Sequence, residues 1–362
     1  MINFISPDVF NALDRIMTYY PNDISEESKI EIETLLDHCL NGLAEDSEKF
    51  LSALFIKALR IHLEPSNIEE HIYLKKFEIP QIKLFNILIE QFPFVKISQE
   101  IVNASLIRQI RESKSAVLID IGIGQGLQMC NILDKLLDDN DIERLTIIGI
   151  EPFKDALNIA TESIVKYTKK LPFEFSFYPI QGFIEKIDFT EIQTIISQFN
   201  GKVVINESLA LHHIQSMDER QKTIAKLRLL NPKAFYMIEP NTDHFEPDFY
   251  RRFQNCHRHF NHVFQVIDKL EISREEKNGL KLFFGREIED IIGKEESLRF
   301  EKHEPAYRWI EKLRIGGFRT ANVFEGIPEY APYDLEIEYQ DPGYLGFRYK
   351  TETVLSVICA TI

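Results

Sequence analysis

The segment that most constrains the fold is a glycine-rich turn between a short apolar run and an amphipathic stretch. The run Ala116–Ile121 is apolar apart from Asp120, and the turn that follows reads Gly-Ile-Gly-Gln-Gly. Leu127–Leu137 then places its apolar residues at helical spacing. Glycines let the backbone bend sharply and approach a ligand, and a helix N-terminus adds positive potential. The pattern predicts a strand–turn–helix unit with a ligand site at the turn.

Short apolar runs and amphipathic stretches alternate over the middle of the chain. One amphipathic stretch, Met217–Leu230, follows Ser216 and has Glu219 at the spacing of a capping box. Strands that alternate with helices indicate βαβ units and a mostly parallel sheet. The predicted strands of this part are Ala116–Ile121, Leu145–Ile150, Phe173–Ile180, Val203–Ile205 and Ala234–Ile238.

Two carboxylates accompany the glycine turn. Asp120 leads it in the pattern D-x-G-x-G-x-G, which differs from the dinucleotide fingerprint G-x-G-x-x-G. Asp120 suits the cationic amino-acid end of S-adenosylmethionine (SAM), and Glu151 is placed to bind ribose hydroxyls. The alternative is that the glycines only shape a tight strand–helix joint over an empty site. We predict SAM as the cofactor, bound by Asp120, Gly122, Gly124, Gln125, Gly126 and Glu151.

Polar side chains follow the fourth and fifth predicted strands, whose carboxyl ends face the ligand crevice of an open α/β sheet. After the fourth strand, the candidate catalytic residues are Glu207, His212 and His213, with hydrogen-bonded structural histidines as the alternative. The polar cluster after the fifth strand matches no strong metal-ligand spacing, so no metal is predicted. The candidate substrate-binding residues are Asn206, Glu239, Asn241 and His244.

The predicted fold class is α/β, with a Rossmann-like sheet of the class I methyltransferase type and an α-helical cap. The sheet is expected to be mostly parallel with an antiparallel C-terminal strand. We predict an N-terminal helical cap at 1–112, the first part of the core at 113–240, a helical insertion joining the cap at 241–298, and completion of the core at 299–362.

Charge and cysteine content restrict the classes of partner. The net charge of −15 gives an acidic surface that repels phosphate, so direct nucleic-acid binding is disfavoured. Four widely spaced cysteines without metal or CxxC spacing indicate reduced thiols, and no apolar run is long enough to span a membrane. We therefore expect a cytoplasmic protein without a membrane partner.

Several short motifs occur in order along the chain, beginning with Val117-Leu118-Ile119-Asp120 and Gly124-Gln125-Gly126-Leu127-Gln128. They resemble the GRAS family, known chiefly as plant regulators of transcription, whose VHIID core and following QGLQ are similar to these two segments. The resemblance extends over roughly residues 35–362. Further similar segments are Leu211-His212-His213, Leu230-Asn231-Pro232-Lys233, Gly285-Arg286-Glu287-Ile288 and Arg299–Pro305.

This resemblance implies a methyltransferase-like core with a helical cap. The chain departs from the family by lacking the closing Ser-Ala-Trp, and it keeps the full glycine turn and Glu151, where many plant members look eroded. Its compact, Lys- and Ile-rich composition looks more like a bacterial member.

Two function classes remain open. The first is a small-molecule site between cap and core that binds SAM, with methyl transfer to a small acceptor. The second is a non-catalytic regulator that binds a protein partner through the cap or forms a homodimer.

Overall fold

The computed structural model describes residues 9–18, 25–63, 81–199 and 201–362. The chain divides into two units. The helical unit comprises residues 1–92, 242–304 and 349–354, and the sheet unit comprises 93–241, 305–348 and 355–362. Of the segment predicted as an N-terminal helical cap, residues 1–8, 19–24 and 64–80 lie outside the described residues.

Helices make up most of the regular structure in the helical unit. In the sheet unit, helices alternate with strands along the chain. In the described part of the helical unit they are α1 (Val9–Thr18), α2 (Glu26–Leu40), α3 (Ser47–Leu63), α4 (Gln81–Glu90), α10 (Phe249–Lys269) and α11 (Arg274–Ile288). In the described part of the sheet unit they are α5 (Pro93–Ser113), α6 (Leu127–Asp134), α7 (Lys154–Ile164), α8 (Phe189–Phe199), α9 (Met217–Leu229) and α12 (Ala306–Ile315).

The described residues form one nine-stranded sheet. Its strands are β1 (Ser115–Ile121), β2 (Arg144–Glu151), β3 (Glu174–Gln181), β4 (Lys202–Ser208), β5 (Ala234–Pro240), β6 (Arg319–Thr320), β7 (Leu335–Gln340), β8 (Tyr344–Tyr349) and β9 (Glu352–Thr361).

The strand order confirms the predicted fold class. Strands β3-β2-β1-β4-β5 are parallel neighbours, and β9 then runs antiparallel to β5, followed by β8 and β7. Strand β5 is buried along its whole length, as expected of a parallel strand that is covered on both faces. The sheet is thus a mostly parallel, Rossmann-like sheet with an antiparallel C-terminal strand. Because β1 is central, its C-terminal turn lies between the ends of β2 and β4.

Three elements differ from the sequence pattern for identifiable reasons. Helix α5 belongs to the sheet unit, although its sequence was grouped with the predicted cap, because it packs on β1, β4 and β5. Within the predicted helical insertion, the sequence pattern indicates this helix only from Gly285, whereas α11 begins at Arg274, after a capping box formed by Ser273 and Glu276. Strand β7 alternates apolar and charged residues, which is the period-2 pattern of a strand, and its Glu336 and Glu338 pair with Arg348, but it was not among the predicted strands.

Candidate functional site

Three glycines in the turn between β1 and α6 adopt left-handed backbone conformations. The φ angle is +75° at Gly122, +55° at Gly124 and +80° at Gly126, a region that residues with a Cβ rarely adopt. The N–H groups of Gly122 and Ile123 both donate to the carbonyl oxygen of Ile150, at 2.9 and 3.1 Å. These bonds hold the turn against the end of β2.

The three glycines differ in what packs against them. A Cβ at Gly122 would lie 2.6 Å from the Cβ of Ala210, and a Cβ at Gly126 would lie 3.1 Å from Ala160. Among the described residues, no heavy atom would lie within 4 Å of a Cβ at Gly124. Gly122 and Gly126 therefore permit close packing of the chain against itself, whereas Gly124 faces open space.

A buried polar network connects Asp120 to three amide side chains. Asn206 Nδ2 donates to Asp120 Oδ1 at 2.7 Å and to Gln128 Oε1 at 3.2 Å. Gln128 Nε2 in turn donates to Asn103 Oδ1 at 2.9 Å. Burial raises the pKa of Asp120 to about 7; the hydrogen bond from Asn206 opposes the rise and the charge of Glu151 adds to it. Asp120 is therefore partly neutral near pH 7 and is already bonded within the chain.

Glu151 stabilises the glycine turn through both carboxylate oxygens. Its Oε2 accepts from the backbone N–H of Gly124 at 3.0 Å, and its Oε1 accepts from that of Phe153 at 3.1 Å. Burial raises the pKa of Glu151, and these two backbone hydrogen bonds oppose the rise. Each oxygen retains a second lone pair, so a diol could still bind alongside the backbone donors.

Glu207, Glu239 and His212 form a second buried cluster at the ends of β4 and β5. Glu239 accepts the backbone N–H of His212 at Oε1 (3.1 Å), and its Oε2 lies 2.7 Å from His212 Nδ1. Glu207 Oε1 accepts the N–H groups of Ala210 and Leu211, at 2.6 and 3.2 Å. Glu207 Oε2 is buried without a hydrogen-bond partner among the described residues. Two acids and a histidine thus fix the loop after β4.

Burial of Glu207 and the nearby charge of Glu239 raise the pKa of Glu207 well above its usual value. Stability from such a proton-holding group is present at low pH and is lost as pH rises through the folded pKa. Glu207→Gln keeps an acceptor for both backbone donors and cannot ionise. We expect it to raise the free energy of unfolding at about pH 8 by about 1–3 kcal/mol and to change it less at about pH 5.

Urea unfolding followed by the fluorescence of the single tryptophan, Trp309, measures this effect within the sheet unit. Glu329→Gln, at an exposed loop position of the same unit, is the control and should leave the pH dependence unchanged. Equal effects of Glu207→Gln at both pH values would show that Glu207 is ionised in the folded chain.

The other predicted site residues have different surroundings. His213 is exposed, and its ring centroid lies 4.1 Å from that of His212. Asn241 Oδ1 accepts the backbone N–H of Ala306 at 2.8 Å, at the first residue of α12. His244 belongs to the helical unit, where its Nδ1 lies 2.7 Å from His303 Nδ1. Gln125 is half-buried within the turn.

Sequence patterns missed several polar residues that support the loops. Arg220 is fully buried on α9; its Nε donates to the carbonyl of Ile214 at 2.7 Å, and its guanidinium lies 5.1 Å from the ring centroid of Trp309. Asn103 and Gln128 were likewise not predicted as parts of a network. The sequence of α9 gives no sign that Arg220 is buried, because arginine side chains on helices are usually exposed to solvent.

Comparisons with known proteins agree with the motif order. The GRAS domain family model matches residues 24–346. The GRAS family protein RAD1 of Medicago truncatula is 22% identical over 249 residues, covering 66% of this chain and 47% of the relative. Scarecrow-like transcription factor PAT1 of Arabidopsis thaliana is 22% identical over 302 residues, covering 79% and 58%. The chain thus spans about half the length of the curated relatives it matches.

A solved structure shows the same fold. The structure of SCL7 from Oryza sativa superposes with a TM-score of 0.81 at 16% identity, covering 98% of this chain and all of that one. These relatives are plant proteins, so the expectation of a bacterial member gains no support from them. No helix among the described residues is long and apolar enough to cross a membrane. With the family model matching most of its length, the chain belongs to the GRAS domain family.

Proposed function

We propose that this chain is a non-catalytic regulator that acts through contacts with other proteins. The observation that carries the proposal is that the predicted cofactor and catalytic acids are bonded within the chain. Asp120 is bonded to Asn206, Glu151 to two backbone amides, and Glu207 to two more. Acids that accept amide N–H groups in this way hold the loops in place, a role that needs no ligand.

The names of the relatives support the same class. They include a Scarecrow-like transcription factor and a DELLA protein, RGL3, of Arabidopsis thaliana. With a net charge of −15, this chain would reach DNA more readily through a partner protein than by binding phosphates itself. A regulator of transcription acts at DNA, so this role would differ from the cytoplasmic location that the composition predicts. The partner is either a different protein or a second copy of the chain, and light scattering of the purified protein separates these cases.

A second candidate function is binding of SAM or its demethylated product at the glycine turn. Three observations favour it: Gly124 faces open space, both acids of the motif are present, and Asn206 Oδ1 is buried without a partner among the described residues. Asp120 and Asn206 would bind the amino-acid end, Glu151 the ribose, and the Gly124 segment would lie along the cofactor. When bound, SAM would supply an electrophilic methyl group; the chain's own contribution would be to align an acceptor.

Gly124→Asn distinguishes the two functions. Asn tolerates left-handed φ better than other side chains, so the substitution adds bulk where the cofactor would lie at little backbone cost. The regulator hypothesis predicts that a reporter driven by the chain fused to a heterologous DNA-binding domain keeps its wild-type output. The SAM hypothesis predicts binding of SAM by calorimetry in the wild type and a loss of about tenfold or more in affinity in the variant.

Gly42→Asn is the matched control, because Gly42 also has a left-handed φ, +82°, and open space around its Cβ position. It should change neither readout. If Gly124→Asn lowers the reporter output and Gly42→Asn does not, the result contradicts the hypothesis that regulation does not depend on the glycine turn. Absence of SAM binding to the wild-type chain would eliminate the second function.

A further inference from the structure

A cavity in the helical unit carries two opposite charges that are not paired with each other. It has a volume of about 290 Å³ and lies between α1 and one face of α10. This volume is near the lower end of the range for small-molecule sites. Phe10 and Asp14 line it from α1, and Gln254, His257, Arg258 and Asn261 line it from α10.

The negative charge is provided by Asp14. Its Oδ2 accepts from Tyr250 Oη at 3.2 Å and its Oδ1 accepts from Gln254 Nε2 at 3.3 Å. Both donors are neutral, and among the described residues Asp14 has no ion pair. Its carboxylate therefore keeps spare lone pairs for a cationic donor.

The positive charge is provided by Arg258. Its side chain is exposed, and within the described part of the chain its guanidinium makes neither a hydrogen bond nor an ion pair. Asn261 lines the cavity one turn further along the helix and accepts from Gln265 at Oδ1 (3.1 Å), which leaves its Nδ2 as a donor. A guanidinium with an adjacent amide donor is suited to bind a carboxylate.

Aromatic rings supply an apolar wall beside these charges. The rings of Phe10 and His257 stack on each other, and Phe10 also stacks on Phe253 with centroids 5.5 Å apart. Burial, followed by the charges of His262 and Arg258, lowers the pKa of His257 to about 3. The ring is therefore neutral at physiological pH and adds no charge to that of Arg258.

We propose that this cavity binds a free amino acid as a zwitterion. The ammonium group would donate to Asp14, the carboxylate would accept from Arg258 and Asn261, and the side chain would lie against the Phe10–His257 wall. A ligand with one charge would leave the second protein charge uncompensated, so recognition requires both ligand groups. The site lies within the helical unit and is independent of the function proposed for the glycine turn.

Calorimetry of the purified chain with each of the twenty L-amino acids tests this inference. At least one should bind, and its N-acetyl derivative and its methyl ester, which each lack one charge, should bind about tenfold or more weakly. Asp14→Asn and Arg258→Met should weaken binding of the intact amino acid by a similar factor. Asp37→Asn, at an exposed position of α2, and Arg251→Met, at an exposed position of α10 that does not line the cavity, are the matched controls and should leave the affinity unchanged.

Three outcomes would overturn the proposal. The first is that none of the twenty amino acids binds. The second is that a methyl ester or an N-acetyl derivative binds as tightly as its parent, because the cavity would then not recognise two charges. The third is that Asp14→Asn and Arg258→Met retain wild-type affinity, which would place binding elsewhere on the chain.

Discussion

Lowering the pH from about 7.5 to about 5 is expected to destabilise the helical unit by about 4 kcal/mol, because two of its histidines remain neutral in the folded state. Burial, followed by the charges of His303 and His262, lowers the pKa of His259 to about 3, and the pKa of His257 is also about 3. Each unfolded histidine takes up a proton below about pH 6.5, whereas the folded ring does not. At pH 5 the difference amounts to about 2 kcal/mol per residue.

The direction of this effect follows from which state binds more protons. A histidine with a lowered folded pKa contributes stability above its unfolded pKa, and this stability is lost as pH falls from about 6.5 towards the folded value of about 3. His244 acts in the same direction, since burial and the charges of His303, His259 and Arg299 lower its pKa well below the usual value. Asp120 of the sheet unit acts in the opposite direction, because its raised pKa means that a lower pH stabilises the folded state.

Hydrogen exchange followed by mass spectrometry measures the two units separately. Peptides from α10 should lose protection between pH 7.5 and 5 after correction for the intrinsic exchange rate, and peptides from β1 should not. His259→Phe keeps an aromatic ring, removes the buried Nδ1 that has no partner among the described residues, and should reduce the loss of stability by about 2 kcal/mol. His213→Gln, at an exposed position, is the control. Unchanged protection of α10 at pH 5 would contradict the prediction.

The sequence predicted the central architecture because parallel strands leave a strong pattern. The five parallel strands are short, apolar and separated by amphipathic helices, and the glycine turn identifies β1 and α6 by itself. The C-terminal part was predicted less completely, because β7 was missed although its residues alternate between apolar and charged. The strand is mostly exposed, and its glutamates pair with Arg348, so its alternation is a weaker signal than the apolar runs of the buried parallel strands.

The positions of the candidate residues on the sheet could be predicted, but their hydrogen bonding could not. The rule that parallel strand ends share one edge of a sheet predicted Glu207 and Glu239 at neighbouring strand ends, and they lie near the ends of the adjacent strands β4 and β5. Glu151 was assigned to ribose from its position, whereas in the structure it accepts backbone N–H groups from Gly124 and Phe153. A sequence shows which residues lie at the edge of a sheet. The N–H groups that donate to their carboxylates depend on loop geometry, which changes with single backbone dihedral angles.

Replacing Gly122 with alanine is expected to destabilise the sheet unit by about 2–4 kcal/mol. A left-handed φ of +75° costs a residue with a Cβ about 1 kcal/mol. The new Cβ would also lie 2.6 Å from the Cβ of Ala210, which is attached directly to the backbone and cannot rotate away. Ala210 donates its N–H to Glu207, so relief of the clash requires movement of the loop that Glu207 holds.

Gly124→Ala is the matched control, because it introduces the same side chain at a left-handed φ of +55° with open space around it. It should cost about 1 kcal/mol, the backbone term alone. Urea unfolding monitored by Trp309 gives both values. The double variant Gly122→Ala/Ala210→Gly should be more stable, by about 1–3 kcal/mol, than the sum of the two single-variant losses in unfolding free energy predicts. The reason is that the two Cβ atoms no longer collide.

The pair of glycines also separates the two interpretations of the turn. If the turn is only a joint between strand and helix, substitution of Gly122 should lower stability more than substitution of Gly124, and neither substitution should affect ligand binding. If the turn is a cofactor site, Gly124→Ala should weaken SAM binding although it costs only about 1 kcal/mol of stability, because its Cβ lies in the space that a cofactor would need. Equal stability losses for Gly122→Ala and Gly124→Ala would show that the contact with Ala210 does not constrain the turn. The interpretation of the turn as a tightly packed joint between strand and helix would then lose its physical basis.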